Sequence, residues 1–183
     1  IDIQPEYWSQ CDEVSCDFPH FPKKVASLLH KFRTAQRDVV FVRADYTTEK
    51  SKWLPEFLAL HGDTKQIPDK RLAQQQEPEW EPFAIPLPNE VVIEKSNWNV
   101  TTDRKNRHQN IQRWRSMGID TVVMCGLITS ACVQHSAYGL FEQGFKIVVI
   151  SDACADRGRE RHENCLKLYA GYMYRTKTVD EIG

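Results

Sequence analysis

Residues 121–150 read TVVMCGLITSACVQHSAYGLFEQGFKIVVI, and their patterning decides the fold. Thr121-Val122-Val123-Met124 is a β-branched and apolar run. Ala131 to Gln143 carries helical periodicity stopped by Gly144, and Lys146-Ile147-Val148-Val149-Ile150 is a second apolar run. A strand that discards its polar positions has to be buried on both faces, which implies a parallel sheet covered by helices on each side. The alternation continues outward. Val25, Leu28, Leu29 and Phe32 place a helix over Phe21 to Arg37, followed by a strand at Val39 to Val42. Glu90 to Glu94 reads as a strand, Arg104 to Met117 as a basic amphipathic helix, and Arg159 to Tyr172 as a further helix. Ile1-Asp2-Ile3 reads as the end of a first strand that begins before this sequence does.

The expected class is therefore α/β, a doubly wound and mainly parallel sheet with helices on both faces, in a Rossmann-like three-layer α/β/α arrangement. One domain over residues 1–183 is expected, with no internal repeat. His61 to Pro88, rich in proline, glutamine and acidic residues, lacks periodicity and reads as an excursion over the active-site face.

At 183 residues, 41% hydrophobic and 27% charged, the chain can bury a sizeable core, and nothing in it marks disorder. The longest apolar runs are strand-sized, so no membrane association is expected. A formal net charge of −1 gives no global footprint for nucleic acid, despite basic clusters at Arg104 to Arg107 and Arg157 to Arg161. A small-molecule substrate, a cytoplasmic setting and a homo-oligomer, dimer or tetramer, are expected. The charge-rich helix start around His162 reads as a solvated or subunit-contacting surface. Six scattered cysteines without CxxC pairs point to reduced thiols rather than a disulfide scaffold. Asp12 to Ser15, between Cys11 and Cys16, reads as solvated loop.

Ligands of such sheets gather at the carboxyl ends of the strands. The residues there are Asp2 and Gln4, Arg43 and Asp45, Lys95, Cys132 and Asp152. Cys132 falls in the first turn of the helix that follows the central strand, where exposed N–H groups and the positive dipole end lower a thiol's pKa. An isolated cysteine in apolar surroundings is ordinarily a small buried hydrophobe. Asp2 and Lys95 lift Cys132 out of that class by adding a carboxylate to move protons and an ammonium to stabilise anions.

Ile1-Asp2-Ile3-Gln4, Val92-Ile93-Glu94-Lys95, Gly126 to Val133 and Ser151-Asp152-Ala153 together resemble the isochorismatase-like cysteine hydrolase family, in order and spacing along nearly the whole chain. The resemblance implies a triad with Asp2 as general base and acid, Lys95 as electrostatic partner and Cys132 as nucleophile. It also implies a cis peptide between Leu127 and Ile128, with the backbone N–H groups of Ile128 and Cys132 forming an oxyanion hole.

Two departures from the family pattern matter. Family nicotinamidases typically hold a metal through Asp-x-His after the second strand, where this chain has Asp45-Tyr46-Thr47. The histidine is missing, so no metal and no cofactor are expected, and nicotinamide is disfavoured. After Lys95 the family often shows a small residue and then an aromatic, whereas here Ser96 is followed by Asn97 and the aromatic, Trp98, comes one residue later than that pattern places it. Trp98, Gln4, Tyr7, Trp8 and Arg43 are the candidate substrate-binding residues, each also readable as packing or surface charge. His135, three residues after Cys132, is not taken as its partner. The leading expectation is hydrolysis of isochorismate to 2,3-dihydroxy-2,3-dihydrobenzoate and pyruvate. The alternative is a cysteine amidohydrolase acting on a small amide, carbamoyl or ureido compound through a thioester. A third is a catalytically silent binding protein.

Overall fold

The structure is a computed structural model that describes residues 1–46, 49–61 and 80–182. Most of the excursion expected over His61 to Pro88 lies outside the described residues. The strands are β1 (Val40–Ala44), β2 (Val91–Lys95), β3 (Thr121–Leu127), β4 (Lys146–Ala155) and β5 (Arg175–Lys177). The helices are α1 (Asp12–Ser15), α2 (Phe21–Thr34), α3 (Leu54–His61), α4 (Arg104–Ser116), α5 (Gln134–Glu142) and α6 (Arg159–Tyr169). Among the described residues no helix is long and apolar enough to cross a membrane.

Every strand pair is parallel, as the unbroken apolar runs predict. β1 pairs with β2 in register from Val40↔Val91 to Ala44↔Lys95. β3 pairs with β4, shifts register between Met124 and Gly126, and resumes at Gly126↔Cys154; β4 then pairs with β5. Period-two alternation along β4 divides the core in two. Val148 and Ile150 pack into one cluster with Val25 and Leu28 of α2. Ile147 and Val149 pack into the other with Ile111 of α4, Ala137 and Leu140 of α5, and Leu166 of α6. Helices therefore cover both faces of β4, which is why its sequence has no polar position between Lys146, exposed at its start, and Ser151.

The segment expected to end a first strand, Ile1–Gln4, lies as a splice between the two sheets. Asp2 N donates to Val42 O at 2.8 Å, Leu127 N donates to Ile1 O at 2.9 Å, and Ile1 N donates to Cys125 O at 2.9 Å. Asp2 sits at φ +51°, a left-handed conformation that turns the chain out of the sheet, and Pro5 then opens a 3₁₀ turn over Pro5–Tyr7. Gly126 makes the splice possible: at φ +122°, a Cβ there would lie 2.1 Å from Ile1 O.

Two further readings change. Asp12 to Ser15 is a single helical turn with Val14 fully buried, not solvated loop. β4 runs five residues past its expected end at Ile150, because Ala153, Cys154 and Ala155 are small enough to be buried while pairing with the far end of β3.

Candidate active site

The carboxyl ends of the strands converge as the fold class demands. Asp2 comes from the splice, Tyr46 follows β1, Lys95 ends β2, and Cys132 follows β3 in a π-turn over Thr129–Val133. Cys132 is thus not in the first turn of an α-helix; α5 begins only at Gln134. Single π-turns of this kind re-aim one side chain at the cost of regular pairing. The turn is tied down from β4 and α6: Thr129 Oγ1 donates to Ala155 O at 3.0 Å and lies 2.8 Å from His162 Nδ1, and Ser130 N donates to Asp156 Oδ2 at 2.6 Å. His162 is consequently buried, not the surface residue its charged neighbours suggest, and burial pulls its pKa down. The peptide between Leu127 and Ile128 is cis.

Asp2, Lys95 and Cys132 are brought together out of solvent. Lys95 Nζ lies 2.7 Å from Asp2 Oδ2, 3.2 Å from Cys132 Sγ and 2.6 Å from Tyr46 Oη. A carboxylate, a thiol and a phenol thus surround the ammonium. Burial works against the Lys95 charge, but Asp2 and then Cys132 outweigh it, and its pKa rises. Neither Asp2 oxygen accepts a well-directed hydrogen bond among the described residues, so the carboxylate is held by charge and keeps room for a proton.

The thiol is not pre-ionised as a helix N-terminus would make it. Burial, and after it the charge of Asp2, push Cys132 up to about 12, against the opposing pull of Lys95 and of the Tyr46 hydrogen bond. Low dielectric penalises a thiolate beside a carboxylate more than one ammonium can repay. Burial likewise raises Cys125 and pushes Cys165 up to about 11. Unfolded thiols release their protons near ~8.5. The stabilisation these groups carry is therefore complete below that pH and is lost as pH rises towards 12. The urea midpoint should be flat from pH 7 to 8 and fall continuously above pH 9, less steeply in Cys132→Ala; a flat profile to pH 11 would contradict this burial.

The candidate binding residues divide. Gln4 is fully buried with its amide committed to β1: Oε1 accepts from Ala44 N at 2.8 Å, while Nε2 donates to Glu6 Oε1 at 2.9 Å. Trp8 packs against Phe21 with ring centroids 4.6 Å apart, inside the core. Arg43 pairs with Glu94, its register partner across the sheet. Asp152, expected at a strand end, is an internal tie that accepts from Val179 N at 2.8 Å and pairs with Lys24. Tyr7 does face the site: among the described residues its buried hydroxyl has no partner, and burial and then Asp2 raise its pKa. Trp98 stands half-buried among Trp53, Phe57 and His135, with ring centroids 5.4, 5.9 and 5.2 Å away. His135 is exposed and its Nδ1 lies 2.7 Å from Ala131 O, in the π-turn that precedes its helix.

Two residues escaped the sequence reading. Tyr46 contacts both Lys95 and Cys132; it was visible only as the residue inside a broken Asp-x-His element. Arg157 follows the true end of β4, hidden because that strand runs longer than its apolar core. Its buried Nε has no partner among the described residues, and its charge reaches the Tyr7 hydroxyl. It lines an open groove with Ser130, Gln134 and His135. The metal element of the nicotinamidases does not fit here. Asp45 pairs with Lys50, the Tyr46 hydroxyl is engaged, and among the described residues no three His, Cys, Asp or Glu side chains converge.

The isochorismatase domain family model matches residues 1–181. The uncharacterised isochorismatase family protein YecD of Escherichia coli is 27% identical over 170 residues, covering 90% of this chain and 84% of that protein. Maleamate amidohydrolase of Pseudomonas putida is 38% identical over 48 residues, 26% of this chain and 22% of that protein. The structure of N-carbamoylsarcosine amidase from Thermoplasma acidophilum has the same fold, with TM-score 0.72, 21% identity and coverage of 99% and 94%.

Proposed function

The chain belongs to the isochorismatase family, and from that footing we propose that it is a cysteine hydrolase cleaving the C–N bond of a small amide or carbamoyl compound that carries a carboxylate. Within this reading Asp2 takes the Cys132 proton and the sulfur attacks the substrate carbonyl. The backbone N–H groups of Ile128 and Cys132 receive the oxyanion. Asp2 returns the proton to the departing amine as the C–N bond breaks. A water, deprotonated by Asp2, then cleaves the thioester, and the thiol is restored.

The observation that carries the reading is the surroundings of the sulfur. Cys132 Sγ has Lys95 Nζ at 3.2 Å and Tyr46 Oη at 3.1 Å, two hydrogen-bonding groups that serve a thiolate formed during attack. Hydrolysis of a vinyl ether makes no use of such a thiolate. Arg157 and the Tyr7 hydroxyl supply an unpartnered cationic N–H and an O–H for the carboxylate. Maleamate and N-carbamoylsarcosine, named for two of the related enzymes, each join a carboxylate to an amide or carbamoyl group.

The second reading, isochorismate hydrolysis, has Asp2 protonate the vinyl carbon and water capture the resulting cation. It is favoured by a carboxylate that accepts no well-directed hydrogen bond.

Carboxylate-bearing amides should release ammonia, and acid quenching during turnover should trap an acyl group on Cys132 in peptide mass spectra. Pyruvate from isochorismate, with no ammonia from any amide and no adduct, would establish the second reading instead.

A further inference from the structure

Tyr46 has no place in the three-residue machinery, yet its hydroxyl touches two of the three members. Oη lies 2.6 Å from Lys95 Nζ and 3.1 Å from Cys132 Sγ, with the Asn97 carbonyl at 3.5 Å. An ammonium can only donate, so Oη accepts from Lys95 and its own proton is left for another acceptor. Sulfur is the nearer one. We propose that Tyr46 is a fourth member of the site, its hydroxyl donating a hydrogen bond to the Cys132 sulfur and stabilising the thiolate as Asp2 withdraws the thiol proton.

This role rests on the cysteine-hydrolase reading and deepens it. Before attack the negative charge resides on Asp2, which faces Lys95. When the proton crosses from sulfur to carboxylate the charge moves to sulfur, and a donor already aimed at sulfur gains strength at that moment without reorganising. No proton leaves Tyr46; its O–H bond stays intact while the hydrogen bond shortens.

The surroundings hold that donor ready. The ring is buried and meets Trp53 edge-on at 5.0 Å, and Trp53 is anchored by its Nε1 donating to Ser96 O at 2.9 Å. Burial and the nearby Cys132 and Asp2 raise the phenol's pKa well above its ordinary value, so the proton stays available for donation. Lys95 Nζ also lies 4.9 Å from the ring centroid, a contact that phenylalanine preserves.

The test is the rate at which iodoacetamide alkylates Cys132 between pH 8 and 10, followed by peptide mass spectrometry in the full chain. Well below the thiol's pKa this rate tracks the thiolate fraction. Tyr46→Phe should slow it about tenfold or more, the weight of one hydrogen bond to a charged group. A role confined to packing would leave it unchanged, and an unchanged rate overturns the proposal. If that variant does not fold, 3-fluorotyrosine at position 46 keeps the shape and strengthens the donor. It should then speed alkylation, and failure to do so overturns the proposal equally. No substrate enters this measurement, so failure of the amide assignment and failure of the Tyr46 assignment are read separately.

Discussion

Replacing Cys132 by alanine is expected to lower amide turnover by about 10⁴-fold or more. Under the thioester reading the loss is large because both acyl-transfer steps involve the sulfur, and among the described residues no other nucleophile is placed to replace it. Among the described residues, Lys95 is committed as an ammonium to three acceptors, and the Tyr46 hydroxyl is kept protonated by burial. The fold should survive, since alanine removes one sulfur from a site whose backbone is held by Thr129, Ser130 and Asp156. Ammonia release under saturating substrate, with circular dichroism alongside, is the measurement. Substantial amide turnover by Cys132→Ala would end the thioester mechanism. The variant on isochorismate gives the opposite contrast, because a reaction driven by Asp2 alone would continue.

Asp2→Ala should abolish turnover and also destabilise the protein by about 3–5 kcal/mol, the cost of leaving one partner of a buried ion pair alone. Lys95 and Asp2 side chains are 1% and 2% exposed, so bulk solvent screens the pair little. The added Lys95→Met change removes the stranded charge, and Asp2→Ala/Lys95→Met should recover most of the lost stability while remaining inactive. Urea unfolding of the two single variants and the double variant closes the cycle. Additive losses would mean that the two charges do not compensate each other. Recovery of stability without activity separates the structural weight of the pair from its chemistry.

Much of this architecture was legible in the chain. Val122 to Met124 and Ile147 to Ile150 announce strands buried on both faces, and the structure puts a separate core on each side of β4. Asp2, Lys95 and Cys132 were each visible as strand-end residues, and the structure gathers them in one buried cluster. Other parts were hidden for identifiable reasons. β5 carries only Arg175, Thr176 and Lys177, all exposed, and an edge strand without an apolar face has no periodicity to read. Gln4 looks like a ligand-binding residue because its side chain is polar, yet it satisfies Ala44 and Glu6 in the interior. His162 sits in a run of charges, but helical geometry turns that one position towards Thr129 and Phe18.

The sequence by itself determined the parallel α/β order and the residue types delivered to the carboxyl edge of the sheet, because periodicity and strand ends are local properties. Tertiary structure decided what those groups become. Gly126 at φ +122° and Asp2 at φ +51° let the Ile1–Gln4 segment stitch the two sheets together. Burial beside Asp2 turns an expected low-pKa thiol into one pushed up to about 12. Tyr46, unremarkable in the chain, acquires its place from the packing that sets its hydroxyl between Lys95 and Cys132. Proton affinities and hydrogen-bond geometry are set by groups distant in sequence and a few ångströms apart in space, so only the folded chain could settle them.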